Sequence, residues 1–138
     1  VPAPTSFEYA IVRVVPQVER EEFVNAGVIV YCEALGFLEA TIELDEQRLL
    51  ALAPGLDLEL VRLHLEAIPR ICQGGEAGGP IGELTPRERW RWLVSPRSTV
   101  IQTSPPHAGL GEAPREALER LVETTVRLPP GPAAPKAG

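Results

Sequence analysis

Apolar and polar residues alternate with period two from Val24 to Cys32 and again from Phe37 to Leu44, the pattern of paired, half-buried strands. Ala26, Val28, Val30 and Cys32 alternate with Asn25, Gly27, Ile29 and Tyr31 in the first run. Leu38, Ala40, Ile42 and Leu44 alternate with Phe37, Glu39, Thr41 and Glu43 in the second. Superposing the apolar sets predicts a hairpin with Val30 opposite Ala40, Val28 opposite Ile42 and Ala26 opposite Leu44. That register leaves the loop Ala34-Leu35-Gly36, with Gly36 in the left-handed conformation. The other face is then polar, carrying Asn25, Gly27, Tyr31, Glu39, Thr41 and Glu43, with Arg13 from a neighbouring strand. Gly27 in mid-strand marks a bulge or a close approach.

Around the hairpin the pattern predicts further elements. Phe7 to Val15 is apolar on both faces except at Glu8 and Arg13, as in a strand inside a sheet, and Pro16 ends it. Gln17 to Glu22 is a charged connection, read as one helical turn or an exposed loop. Asp45 caps a short helix over Glu46–Leu52 and Asp57 caps a second one. In that second helix Val61, Leu65, Ile68 and Cys72 form a core stripe, and Pro69 predicts a kink or an early stop near Ala67. Gly74 to Pro80 is a loop without the Lys-Ser/Thr of a phosphate cradle. Thr85-Pro86-Arg87-Glu88 is a capping box opening a helix with Trp90, Leu93 and Val94 on one face. Arg97 to Ser104 reads as a fourth strand, Pro105 to Gly111 as a stiff turn, and Pro114 to Val126 as a last amphipathic helix. The expected fold is α+β, an antiparallel sheet of about four strands with helices mainly on one face. The expected organisation is a lead-in over residues 1–6, one domain over 7–127, and a disordered Pro/Ala-rich tail over 128–138.

Composition narrows the function classes. The 138 residues carry a formal net charge of −6, which argues against bulk nucleic-acid binding by the whole surface. The start lacks a charged-then-apolar leader, and the chain lacks an apolar run of bilayer-spanning length, so a cytoplasmic chain with no membrane contact is expected. Cys32 and Cys72 lie far apart with no ligand-spaced partners, so reduced structural thiols are expected, with no metal and no cofactor.

Against the acidic background, Thr85 to Ser98 holds Arg87, Arg89, Arg91 and Arg97 against the single acid Glu88. Guanidinium forks match phosphate and carboxylate two bonds at a time, so Arg91 and Arg97 are candidates for holding an anion. Ser98, Gln102 and Ser104 share one side of the expected strand and supply hydrogen bonds. Arg13 and Asn25 join the candidate set from the polar sheet face, and Glu22 from the charged connection that precedes it. His107, just beyond the strand, carries an imidazole, the side chain most often used for proton transfer, and is the acid/base candidate if the chain is an enzyme. The competing reading is plain: arginines on an exposed helix form a solvated face, and Ser and Thr in strands are ordinary β-formers. The run Glu19-Arg20-Glu21-Glu22 reads as a solvated charge run rather than a metal site, which needs ligands from several elements.

Three stretches together resemble a known family: Glu19 to Tyr31, Trp92 to Pro105 and Pro106 to Leu110. It is a bacterial domain of unknown function numbered 3037, and the resemblance spans roughly Phe7 to Val126. It implies no established activity. Relatives encoded near kinase-like toxin genes imply a partner or regulatory role. It directs attention to Glu22, Asn25, Gly27, Arg97, Gln102, Ser104 and His107. The expected function is a binding or regulatory module that holds a protein partner or a small anionic ligand through the arginine-rich patch and the polar sheet face. The alternative is a small phosphoester hydrolase or nuclease, which requires His107 and Arg97 to converge with Glu22 or Asn25.

Overall fold

Five antiparallel strands form the sheet: β1 (Ser6–Val14), β2 (Val24–Cys32), β3 (Phe37–Ile42), β4 (Ile101–Thr103) and β5 (His107–Leu110). The order is β3-β2-β1-β4, with β5 pairing β1 beyond β4. This computed structural model describes residues 5–129. The lead-in and tail expected from the sequence fall largely outside them, although Ser6 already belongs to β1. The helices are α1 (Glu46–Leu52), α2 (Leu58–Gln73), α3 (Pro86–Leu93) and α4 (Pro114–Leu121), the last continued by a π turn at Val122–Val126. The α+β class with an antiparallel sheet is as expected. Three helices pack on one face, while α4 and its π turn cover part of the other.

Local signals behave as local chemistry dictates. The Asp45 carboxylate accepts from Arg48 N–H and the Asp57 carboxylate from Leu60 N–H, starting α1 and α2. Thr85 and Glu88 form the full capping box, with Pro86 in the first turn of α3. Gln17 to Glu22 contains a single 3-10 turn at Val18–Arg20.

The hairpin register differs from expectation by one residue. Ile29 stands opposite Ala40, Val30 opposite Glu39 and Tyr31 opposite Leu38, which leaves the four-residue loop Glu33 to Gly36. Gly36 is left-handed there, with φ 60°. Matching apolar sets misleads because both faces of β2 are core. Ile29 and Tyr31 face α2 and α3, whereas Val28, Val30 and Cys32 face α4. A bulge adds a second shift, because Val12 pairs with Gly27 but Arg13 pairs with Asn25. The extra residue on β2 reverses its parity, so Val24 and Ala26 join the α2 side and Asn25 turns toward α4.

Two further expectations are corrected, and one of the two outcomes expected at Pro69 is excluded. Pro69 does not stop α2, which runs on to Gln73. Burial of Ile68, Ile71 and Cys72 holds the last turns in place, despite the hydrogen bond that a proline removes. The Gly-rich loop is wound into 3-10 turns over Gly75–Glu83, broken at Gly79. The turn expected after Pro105 is a fifth strand, in which Gly109 lies beneath the Phe7 ring and leaves no room for a Cβ.

Ser104 joins β4 to β5. Its side chain is buried; Oγ accepts from Ile11 N–H at 2.9 Å and donates to Pro105 O at 3.0 Å. Removing the hydroxyl orphans a backbone donor inside the sheet. Ser104→Ala is expected to lose about 1–2 kcal/mol of stability in urea unfolding. Ser104→Thr, which keeps the hydroxyl, should retain most of it, and equal losses would refute the hydrogen-bond account.

Candidate functional site

β1 and β4 place Arg13 and Gln102 opposite one another on the face that α4 leaves uncovered. Beside them the connections before β2 and before β4 converge. A cavity of about 390 Å³ opens there, lined by Arg13, Phe23, Arg97, Ser98 and Gln102, with Val15, Val18 and Glu21 completing the wall. Four residues singled out by the sequence, Arg13, Arg97, Ser98 and Gln102, thus meet around one space.

Each arginine is held by something other than a carboxylate. The Arg13 guanidinium lies 4.3 Å from the centre of the Phe23 ring, a cation–π arrangement. Its Nε is buried without a hydrogen-bond partner among the described residues. Arg97 stacks on Trp92 at 4.4 Å and donates from Nη1 to Leu93 O at 3.0 Å and from Nη2 to Trp92 O at 2.5 Å, closing the C-terminal end of α3. Burial pushes the Arg97 guanidinium below its ordinary value. It remains a cation at neutral pH. Among the described residues neither Arg13 nor Arg97 has a carboxylate within ion-pair distance, whereas Arg20, Arg62, Arg87, Arg115, Arg120 and Arg127 each have one. Glu21, the acid in the wall, is exposed and left-handed at φ 55°.

The remaining candidates fall elsewhere. Glu22 pairs with Arg20 on the exposed connection, as a solvated charge run would. Asn25 donates from Nδ2 to Thr125 O at 3.0 Å, tying β2 to the π turn. Arg91 is exposed on α3 and does not line the cavity. Ser104 is spent inside the sheet. The expected polar face is not free over β2 and β3, because α4 and its extension occupy it. Glu39 pairs with Arg115, and Glu43 with Arg127 at 2.9 Å. Arg127 accordingly holds the Glu43 carboxyl below its usual range. Tyr31, expected on that face, is buried on the opposite one, stacked on Trp90 with centroids 5.6 Å apart.

His107 is exposed on β5 opposite Tyr9, its ring centroid 5.2 Å from the tyrosine's. Tyr9 and Arg13 are four residues apart on β1, a separation of about 13 Å at roughly 3.3 Å per residue. His107 is not among the residues that line the Arg13–Arg97 cavity.

Sequence reasoning missed Phe23 and Trp92 as platforms for the two arginines. The available signal was the nearness of Trp92 to Arg97 in sequence; Phe23 meets Arg13 only through the fold, and both rings remain partly accessible, at 44% for Phe23 and 39% for Trp92, while each carries a cation. Arg89 was also missed as structure. It is buried and donates to Ile71 O, Cys72 O and Leu84 O. Among the described residues no group of three His, Cys, Asp or Glu is placed to hold a metal ion. Burial pushes the Cys72 thiol up to about 12, which leaves it unreactive at neutral pH.

The family model described as "Protein of unknown function (DUF3037)" matches residues 9–126. The chain belongs to that family. The DUF3037 match runs from β1 through the π turn, and so takes in every wall of the Arg13–Arg97 cavity. No curated protein and no solved structure matches the chain. Among the described residues no helix of this DUF3037 chain is long and apolar enough to cross a membrane.

Proposed function

We propose that the chain is a binding or regulatory module that holds an anionic group, a phosphate or a carboxylate, in the cavity between Arg13 and Arg97. One observation carries the reading: two guanidinium groups with no carboxylate partner among the described residues line a single cavity, with Gln102 and Ser98 beside them. A partly buried cation without a counter-ion bears a desolvation cost. An anion entering the cavity offsets that cost and gains charge-assisted hydrogen bonds. Arg13 Nε is a donor in want of an acceptor. The aromatic platforms fix both side chains before the ligand arrives, so little rotamer freedom remains to be lost.

Titration with inorganic phosphate and with acetate, followed through the arginine Nε–Hε resonances, tests the proposal. Saturable shifts at Arg13 and Arg97, weakening as salt rises, are expected. Arg13→Gln and Arg97→Gln should each weaken binding about tenfold or more, the loss of one charge-assisted bond, while Arg48→Gln leaves it unchanged. Equal effects from all three variants would reduce the response to general surface charge.

A further inference from the structure

β4 is an edge strand, and a second cavity flanks it besides the one between the arginines. Ile101 and Thr103 face the side of the sheet on which α2 and α3 pack. There a cleft of about 240 Å³ lies between β4, Ile68 and Ile71 of α2, and Trp92 and Leu93 near the end of α3. Its walls are mostly apolar. Arg97 and Gln102 border both cavities. One short strand thus has an apolar hollow on one face and a cationic hollow on the other.

The backbone of β4 faces outward in step with this. Val15 N–H donates to Val100 O at 2.6 Å and Ser104 N–H donates to Ile11 O at 2.8 Å. Antiparallel alternation then turns the amide groups of Gln102 toward β1 and those of Ile101 and Thr103 toward the open edge. Thr99 Oγ1 donates to Ile101 O at 2.9 Å. By the same alternation the Thr103 N–H and C=O lie outside the ladder with β1, and no turn, loop or cap bond among the described residues takes them up. Edges are ordinarily blunted by proline or charge. Here Pro105 and Pro106 close one end of the edge, and Ile101–Thr103 stays open.

We propose that β4 receives an extended segment of a partner protein as an added strand, with an acidic side chain between two apolar ones. Side chains of a strand alternate between faces. A residue opposite Gln102 therefore points toward Arg13 and Arg97, and those opposite Ile101 and Thr103 point toward the apolar cleft. Backbone pairing supplies the affinity and the two hollows supply the choice of sequence. The unpaired arginines select an acidic segment over a basic one. The proposal rests on the anion-binding reading for the acidic residue, whereas the backbone pairing stands independently of it.

The test uses a labelled peptide centred on Val-Glu-Val, its Val-Lys-Val counterpart, and a Val-Glu-Val peptide methylated at the backbone nitrogens. Val-Glu-Val is expected to bind and to slow amide exchange at Ile101 and Thr103. Val-Lys-Val and the methylated peptide should each bind about tenfold more weakly or worse, through loss of a charged pair or of the backbone bonds. Thr103→Pro removes an outward N–H that the sheet does not use, so peptide binding should fall while the phosphate response at Arg13 and Arg97 persists. Equal binding by the methylated peptide, or binding without slowed exchange at Ile101 and Thr103, overturns strand addition and leaves the anion site intact. A phosphate response that is absent while Val-Glu-Val still slows both amides overturns the anion reading and supports the added strand. Slowed exchange that grows with concentration in the free protein means that a second copy takes the edge, and overturns the partner proposal.

Discussion

Arg89→Ala is expected to destabilise the protein by about 3 kcal/mol or more, because it strips charge-assisted bonds from buried carbonyls. Nη1 donates to Ile71 O at 2.8 Å and to Cys72 O at 2.6 Å, and Nε donates to Leu84 O at 3.1 Å. The first two acceptors are last-turn carbonyls of α2, which have no partner inside the helix. A guanidinium there satisfies them and also complements the negative end of the helix dipole. The side chain is only 8% exposed, so water cannot readily substitute. Gly74, which ends α2 at φ 78°, packs against the guanidinium so closely that a Cβ would stand 2.9 Å from Cζ. Arg89→Lys keeps the charge, but its compact ammonium cannot span acceptors on two separate elements. It should recover less than half the loss. Urea unfolding of the three proteins measures the effect, and amide exchange at Gln73 and Gly74 should rise first as the end of α2 frays. An Arg89→Lys protein as stable as the parent would show that charge alone, not the fork, is what α2 needs.

Four arginines close together in sequence thus have four different fates. Arg87 pairs with Glu33 on the surface, Arg89 caps α2 from within, Arg91 stays in solvent, and Arg97 lines the cavity. Composition marks the cluster and cannot divide it. Helical phase offers a partial clue, since Arg89 lies one turn before the buried Leu93. Features set within a few residues were legible: the Asp45 and Asp57 caps, the Thr85 box, the left-handed Gly36. Features set by tertiary cover were not. The hairpin register was misread because α4 buries the face taken as solvated, and the alternation that implies a half-buried strand ceases to constrain a strand covered on both sides. β5 was read as a turn because Pro105-Pro106 and Gly109 hide it, whereas its pairing with β1 depends on Phe7, about a hundred residues away. The candidate site was half visible. Arg97, Ser98 and Gln102 are neighbours in sequence, but their meeting with Arg13 requires β4 to lie beside β1, and Phe23 enters only through the bulge region at the start of β2.

That bulge is the site of the second large effect. Gly27→Ala is expected to cost about 2–3 kcal/mol, in the upper range for overpacking. A Cβ at Gly27 would stand 2.6 Å from Ile42 Cδ1 and 2.7 Å from Thr41 O. The first contact involves the tip of a flexible side chain and can be relieved. The second is the backbone of β3, which cannot move without loosening its pairing with β2, including the bond from Glu43 N–H to Ala26 O at 2.9 Å. Displacement of β3 would also disturb the Glu43–Arg127 pair that fastens the π turn to the sheet. Because Gly27 does not have a positive φ, the penalty is one of space and not of backbone conformation. This division can be measured. Ile42→Val removes Cδ1 and leaves Thr41 O in place, so the Gly27→Ala/Ile42→Val pair should regain only part of the loss in a double-mutant cycle. Full recovery would place the whole conflict in the isoleucine tip and remove the close backbone approach as the reason for glycine at this position. Partial recovery, with Gly27→Val worse than Gly27→Ala in either background, would establish that β2 and β3 are held too close for any side chain between them.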